Sequence, residues 1–191
     1  MRIAVSGTAG TGKTTLCRLI ANNAGLEFVP DINDVVLREM GYENGRQLYE
    51  QRGQDGMIDW HIRSIFAKIN QDEQNDDYVC DKSIFDFAAR SLVRIYPNER
   101  EFGINDEQHG IIIGALQRGT SIYDRIFYMP LRDRPVEDNN MRTIDNKQRF
   151  RFNVSLLGLY SVFGIPIEPY DFNFSDSPEK VLKELGLEVK I

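Results

Sequence analysis

The stretch Gly7-Thr8-Ala9-Gly10-Thr11-Gly12-Lys13-Thr14 fits the pattern G-x-x-x-x-G-K-[ST]. It is useful only to a chain that leaves a buried strand and enters a helix around it. Its glycines let the backbone curl so that N–H groups point inward at phosphate oxygens. The helix opening near Lys13 adds the positive end of its dipole. Lys13 is expected to reach the β- and γ-phosphates of a nucleoside triphosphate and act in catalysis, while the Thr14 hydroxyl ligates Mg²⁺. Apart from Thr8, every residue of the octapeptide, together with Thr15, is expected to touch the nucleotide. With this chain's content of glycine, lysine and hydroxyl residues, such a match arises by chance in roughly 0.3% of sequences of this length. Its flanks agree with it. Ile3 to Ser6 reads as a short buried strand, and Leu16, Leu19, Ile20 and Ala24 recur at helical spacing before a stop at Gly25.

The remainder alternates in the same way. Strands are predicted over Leu26 to Pro30, Tyr78 to Asp81, Arg125 to Pro130 and Ile165 to Pro169. Helices are predicted over Val35 to Met40, Ile58 to Ile69, Phe85 to Ile95, Asn105 to Leu116 and Asp145 to Tyr160. A last helix has Ser177 as cap, Pro178 at its first position and Gly186 at its end. Tyr42 to Gly53 reads as a polar surface excursion and Gln71 to Asp77 as a solvated acidic loop. With 191 residues, this order predicts a single three-layer α/β domain around a parallel sheet of about five strands. Helices should cover both faces.

A net charge of −6 argues against a broad nucleic-acid-coating surface. No apolar run approaches the roughly eighteen residues of a membrane span. The first residues run straight into a strand, which leaves no room for a signal peptide, and Cys17 and Cys80 lack metal-like spacing. The expected setting is cytoplasmic, with both thiols reduced. His61 and His109 have no companion ligands. Five arginines, Arg132, Arg134, Arg142, Arg149 and Arg151, fall within twenty residues. They form either a local anion site or a solvated helix face, since acids are interleaved.

Other phosphate-loop classes fit poorly. A guanine-reading N-K-x-D is approached only by Asn146-Lys147-Gln148-Arg149, which lacks the aspartate. The third strand ends Asp81-Lys82 rather than in the acid pair of a ring-forming ATPase. A phosphoryl-transfer enzyme remains. Asp31, at the end of the second strand, should face the same crevice as the loop, because parallel sheets bind ligands at their carboxyl ends. It is alternatively a turn or cap before Ile32-Asn33-Asp34, with Asp34 as the second candidate. Asp81 should reach the metal or cap the following helix, and Asp86, one turn on, either assists it or is a surface or helix-face residue. Trp60 and Phe66 either floor an acceptor pocket or pack in the core, and Tyr78 and Cys80 read as packing residues.

Four features occur in order: a phosphate loop at the start, an acid after the second strand, D-[RK]-S in "VCDKSIFDFAARS", and an arginine-bearing segment after the fourth strand. In this the chain resembles the nucleoside and nucleotide kinase group of P-loop proteins. The likeness is to compact AAA-type kinase-like proteins akin to ribosylnicotinamide kinase and deoxynucleoside kinases. It spans most of the chain, although only the phosphate loop is highly specific. Two positions depart from the group: Lys82 stands where arginine is usual, which keeps a charge and loses a planar fork, and Asp31 stands where glutamate is usual.

The resemblance implies ATP- and Mg²⁺-dependent transfer of the γ-phosphoryl group to a nucleoside, nucleotide or related small metabolite. It gives Asp81 the metal, Asp31 the acceptor hydroxyl and its proton, and Lys82 an acceptor contact. Residues 131–151 become a lid, with Arg142 as its main catalytic contact and Arg134 and Arg149 next. The implied partners are a nucleoside triphosphate donor and a small-molecule acceptor, without a membrane and with a homodimer left open. Two alternatives stand: a hydroxyl on a nucleic acid (a polynucleotide end or a hydroxymethylated base) as acceptor, or a regulatory protein that binds a nucleotide without turnover.

Overall fold

The computed structural model describes residues 1–95, 106–132 and 146–190. The chain order is β1 (Arg2–Gly7), α1 (Lys13–Ala24), β2 (Glu27–Val29), α2 (Asn33–Glu39), α3 (Gly45–Glu73) and β3 (Tyr78–Asp81). It continues with α4 (Ile84–Ile95), α5 (Asp106–Gly119), β4 (Arg125–Met129), α6 (Asn146–Val162), β5 (Glu168–Pro169) and α7 (Pro178–Glu184). The five strands form one sheet in the order β2-β3-β1-β4-β5, and every pairing is parallel. Helices pack against both faces of this parallel sheet, so the fold is a three-layer α/β one, as the alternation predicts.

The period of two along the central strands makes the layers. Ala4, Cys80, Ile126 and Tyr128 face one side and join Ile65, Phe85, Leu116 and Leu156 from α3, α4, α5 and α6. Ile3, Val5, Val79 and Phe127 face the other and join Leu16, Ile20, Val181 and Leu182 from α1 and α7. Cys17 and Cys80 fall in these opposite layers. Burial pushes both thiols up, which keeps them protonated.

Register places the site. Val5 lies beside Asp81 and Gly7 beside Met129, so the ends of β1, β3 and β4 are level. β5 pairs only through Glu168 and Pro169, shorter than Ile165 to Pro169, because proline cannot donate to a ladder and suits only an edge.

The segment Tyr42 to Gly53 is not an excursion. Helix α3 begins at Gly45, where the Asn44 side chain accepts from the Gln47 N–H at 3.0 Å, and bends at Gly53 (φ 58°, ψ −146°). Its first half buries Leu48 against Val36, Leu37 and Trp60. The helix also runs on to Glu73, through residues read as loop. Lys68 and Asp72, both fully buried, form an ion pair there at 2.7 Å. Tyr123 donates to Asp72 at 2.6 Å and accepts from the Ile84 N–H at 2.9 Å. This network fastens the end of α3 to the start of α4.

Candidate active site

The carboxyl ends of β1, β2 and β3 open into a cavity of about 660 Å³. Its donor side is the loop from β1 to α1. Gly7 has φ 138°, and a Cβ there would lie 2.5 Å from the carbonyl oxygen of Met129, so a side chain is excluded. Gly12, at φ 96°, caps α1 without any side-chain bond. The first-turn N–H groups of α1 are therefore left to an anion. Ala9, Gly10, Thr14 and Thr15 border the same space. Thr11 is turned aside, its hydroxyl donating to the Thr8 carbonyl at 3.0 Å.

Lys13 is buried and donates to the Thr8 carbonyl at 2.7 Å. Burial lowers its pKa, with Asp81 opposing that shift and Lys82 adding to it. The Thr14 hydroxyl donates to Oδ2 of Asp81. The other carboxylate oxygen, Oδ1, is buried and has no hydrogen-bond partner among the described residues. An orphaned carboxylate oxygen beside a hydroxyl is a donor set that suits a hard divalent cation.

Across the cavity, Asp31 both borders the space and shapes a turn. Its Oδ1 accepts from the N–H of Asn33 at 3.0 Å and from Nδ2 of Asn33 at 2.8 Å, forming the turn into α2. Its Oδ2 is ion-paired with Lys82. Burial alone would raise this carboxyl, but Lys82, the Asn33 N–H and the field of Arg90 outweigh it and hold the pKa at about 2. Lys82 sits at φ 85°, in a region that a residue with a Cβ seldom occupies. Such a conformation survives only where its surroundings impose it. Here the Lys82 N–H donates to the Val5 carbonyl at 3.0 Å, and the side chain is held by Asp31.

Asp86 is not the helix-face residue that its position suggests. It is 1% exposed. Its carboxylate accepts from the Ser6 hydroxyl at 2.6 Å, the Gly7 N–H at 3.0 Å, the Ser83 N–H at 2.9 Å and the Ser83 hydroxyl at 2.8 Å. The Tyr160 hydroxyl bridges Ser6 and Ser83 at 2.7 Å each. The start of the phosphate loop is thus bonded to the start of α4. Ser83-x-x-Asp86, a serine three residues before an acid at a helix start, is the signal that could have found it. Asp86→Ala should lower stability by on the order of 3 kcal/mol, because several buried donors lose their acceptor. Chemical denaturation measures this, and a loss below about 1 kcal/mol would contradict the network.

Of the arginine-rich segment, Arg134 and Arg142 lie outside the described residues. Arg149 is 4% exposed and borders the cavity. Its Nη1 donates to the Asn146 side chain at 3.1 Å and its Nη2 to the Arg132 carbonyl at 3.4 Å, while Nε is buried with no partner among the described residues. Arg132 itself pairs with Asp171. Trp60 and Phe66 do not act together. Trp60 is buried, with Nε1 donating to the Asn33 carbonyl at 3.2 Å, whereas Phe66 is 43% exposed. His61 is buried and stacks on Trp60. Arg90 on α4, which sequence reasoning passed over, borders the cavity beside Asp31 and Asp34.

A sequence model described as "AAA domain" matches residues 2–171. No curated protein matches the chain. Among solved structures, deoxyadenosine kinase from M. mycoides, with products dCMP and dCDP, superposes with a TM-score of 0.63 at 14% identity, over 97% of this chain and 96% of that one. Thymidylate kinase from Candida albicans gives 0.59 at 14% identity, over 96% and 88%. Shikimate kinase from Aquifex aeolicus gives 0.52 at 16% identity, over 97% and 94%. At such identities the likeness is one of fold.

Proposed function

The chain belongs to the AAA domain family, and from that premise we propose that it is an ATP- and Mg²⁺-dependent kinase. Its acceptor is a nucleoside, a nucleotide or a related small metabolite. One observation carries this reading. A single cavity holds a phosphate loop on one side and the Asp31–Lys82 pair on the other, with Asp81 between them at the end of the neighbouring strand. A donor phosphate and an acceptor hydroxyl, in this reading, share that cavity.

In this reading the loop amides and Lys13 hold the β- and γ-phosphates, with Lys13 exchanging its bond to Thr8 for phosphate oxygen. Thr14 and Asp81 hold Mg²⁺, which when bound offsets charge on the triphosphate. Asp31 receives the hydrogen bond of the attacking hydroxyl, and Lys82 fixes Asp31 while contacting the acceptor. Arg149, and with it Arg134 and Arg142, supplies cations against charge on the transferring group. Phosphoryl transfer needs little covalent help, so alignment and charge are the main requirements. With the thiols of Cys17 and Cys80 reduced, we place the protein in the cytoplasm. Among the described residues no helix is long and apolar enough to cross a membrane.

The test is a panel of nucleosides, nucleotides, small hydroxy acids and oligonucleotides offered with labelled ATP. Label on a small acceptor is the expected result. Label on oligonucleotides alone would move the acceptor to nucleic acid, and ATP binding without any labelled product would leave a regulatory protein. Asp81→Asn should raise the Mg²⁺ concentration needed for half-maximal rate much more than it weakens nucleotide binding in EDTA. Equal losses with and without metal would return Asp81 to a plain helix cap.

A further inference from the structure

We infer that Arg90 is the residue that selects an acceptor bearing an oxyanion, a carboxylate or a phosphomonoester, apart from the hydroxyl that is phosphorylated. This rests on the kinase reading above. The Asp86 bonds fix how α4 is rotated, and positions 86, 90 and 93 share one helix face. Asp86, Arg90 and Val93 accordingly all border the cavity, as does Phe87. The rise of a helix sets Arg90 about 6 Å along α4 from Asp86. Asp86 is itself bonded to Gly7 of the phosphate loop. Arg90 thus belongs to the acceptor's half of the cavity.

Its guanidinium carbon lies over the Trp60 ring, 5.8 Å from the centroid, a cation–π contact. Among the described residues it forms no ion pair. Asp31 and Asp34 are the carboxylates whose fields reach it. Asp31 is already taken by Lys82 and by both nitrogens of Asn33, and Asp34 is exposed on α2. Lys82 is likewise committed to Asp31. Arg90 therefore has an uncommitted fork beside Asp31 and Asp34. Burial works against its charge and lowers its pKa. A half-buried guanidinium without a bonded counter-ion is costly, and its planar donors match carboxylate and phosphate oxygens two at a time. A neutral acceptor would leave both the cost and the donors unanswered.

The chain has one tryptophan, Trp60, and Arg90 stacks on it, so its emission reports on this position. The experiment uses the full chain saturated with Mg²⁺ and a non-hydrolysable ATP analogue, which fills the phosphate loop. Inorganic phosphate and, separately, acetate are titrated at constant ionic strength. A saturable change in Trp60 emission is expected with at least one of them. Arg90→Gln should weaken that binding at least tenfold, with Arg90→Lys between the two, as expected for the loss of charged hydrogen bonds. Phosphate alone in wild type identifies a phosphomonoester acceptor, and an acetate response of equal or greater strength identifies a carboxylate. Thermal melts of both variants separate loss of the site from loss of the fold. Equal affinity in a folded Arg90→Gln or Arg90→Lys protein, or no saturable response in wild type, overturns the inference. An Arg90-dependent titration together with an unlabelled acceptor panel would instead overturn the kinase reading and leave the anion site standing.

Discussion

Lys13→Ala should reduce phosphoryl transfer by at least about 10²–10³-fold, the effect of removing one preorganised donor from a site of developing charge. The Lys13 ammonium donates to the Thr8 carbonyl. It is buried, forms no ion pair among the described residues, and burial lowers its pKa. Taking a desolvated charge out of the empty site removes a cost, so the apo protein should melt at the same temperature or higher. What should disappear is the rise in melting temperature that a ligand confers by binding only the folded state. Two measurements decide the matter: melting curves of wild type and Lys13→Ala with and without Mg·ATP, and single-turnover rates. Normal turnover by a folded Lys13→Ala protein would remove the kinase reading altogether.

The donor side was legible in the sequence because it is written in local backbone code. Gly7, Gly10 and Gly12 lie within six residues, and the positive φ each adopts is one that glycine permits, whatever packs around them. The sheet was legible for a related reason: Ile3, Val5, Val79 and Phe127 alternate with their neighbours between two apolar layers. Asp86 was misread because its partners, Ser6 and Gly7, lie about 80 residues away. Nothing in "IFDFAARS" shows which flank of α4 meets the loop, and Arg90 was missed for the same cause. The first half of α3 was misread for another. Its residues are polar, and its only deeply buried apolar side chain before the bend is Leu48, so no helical period shows. Trp60 and Phe66 are six residues apart, hence a third of a turn round the helix, which suffices to put one in the core and the other in solvent.

Asp31→Asn is the sharper test of the acceptor side, and its expected size depends on which of two roles the carboxylate has. With its pKa held at about 2, Asp31 is ionised at every pH where the enzyme would work. It is a weak base, so it cannot remove the hydroxyl proton ahead of transfer. It can align the hydroxyl and take the proton late, as a loose transition state permits. The sign of the linkage follows from that depressed value. Asp31 contributes its full stabilisation above the unfolded carboxyl's pKa of about 3.9, and that contribution is lost as pH falls through about 2. An acidic limb in kcat near pH 5 or 6 would therefore belong to another group. Asp31→Asn should lower kcat by about 10²–10⁴-fold with ATP affinity nearly unchanged. Part of that loss could come from Lys82, which the substitution leaves unpaired at a strained φ of 85°. The double variant Asp31→Asn, Lys82→Met separates the two. If it recovers most of the rate, the loss in Asp31→Asn came from the unpaired Lys82 charge; if it stays as slow while Lys82→Met alone is fast, the carboxylate acts on the hydroxyl itself. A single Asp31→Asn variant within tenfold of wild type would remove Asp31 from the reaction and leave Asp34, or no base at all.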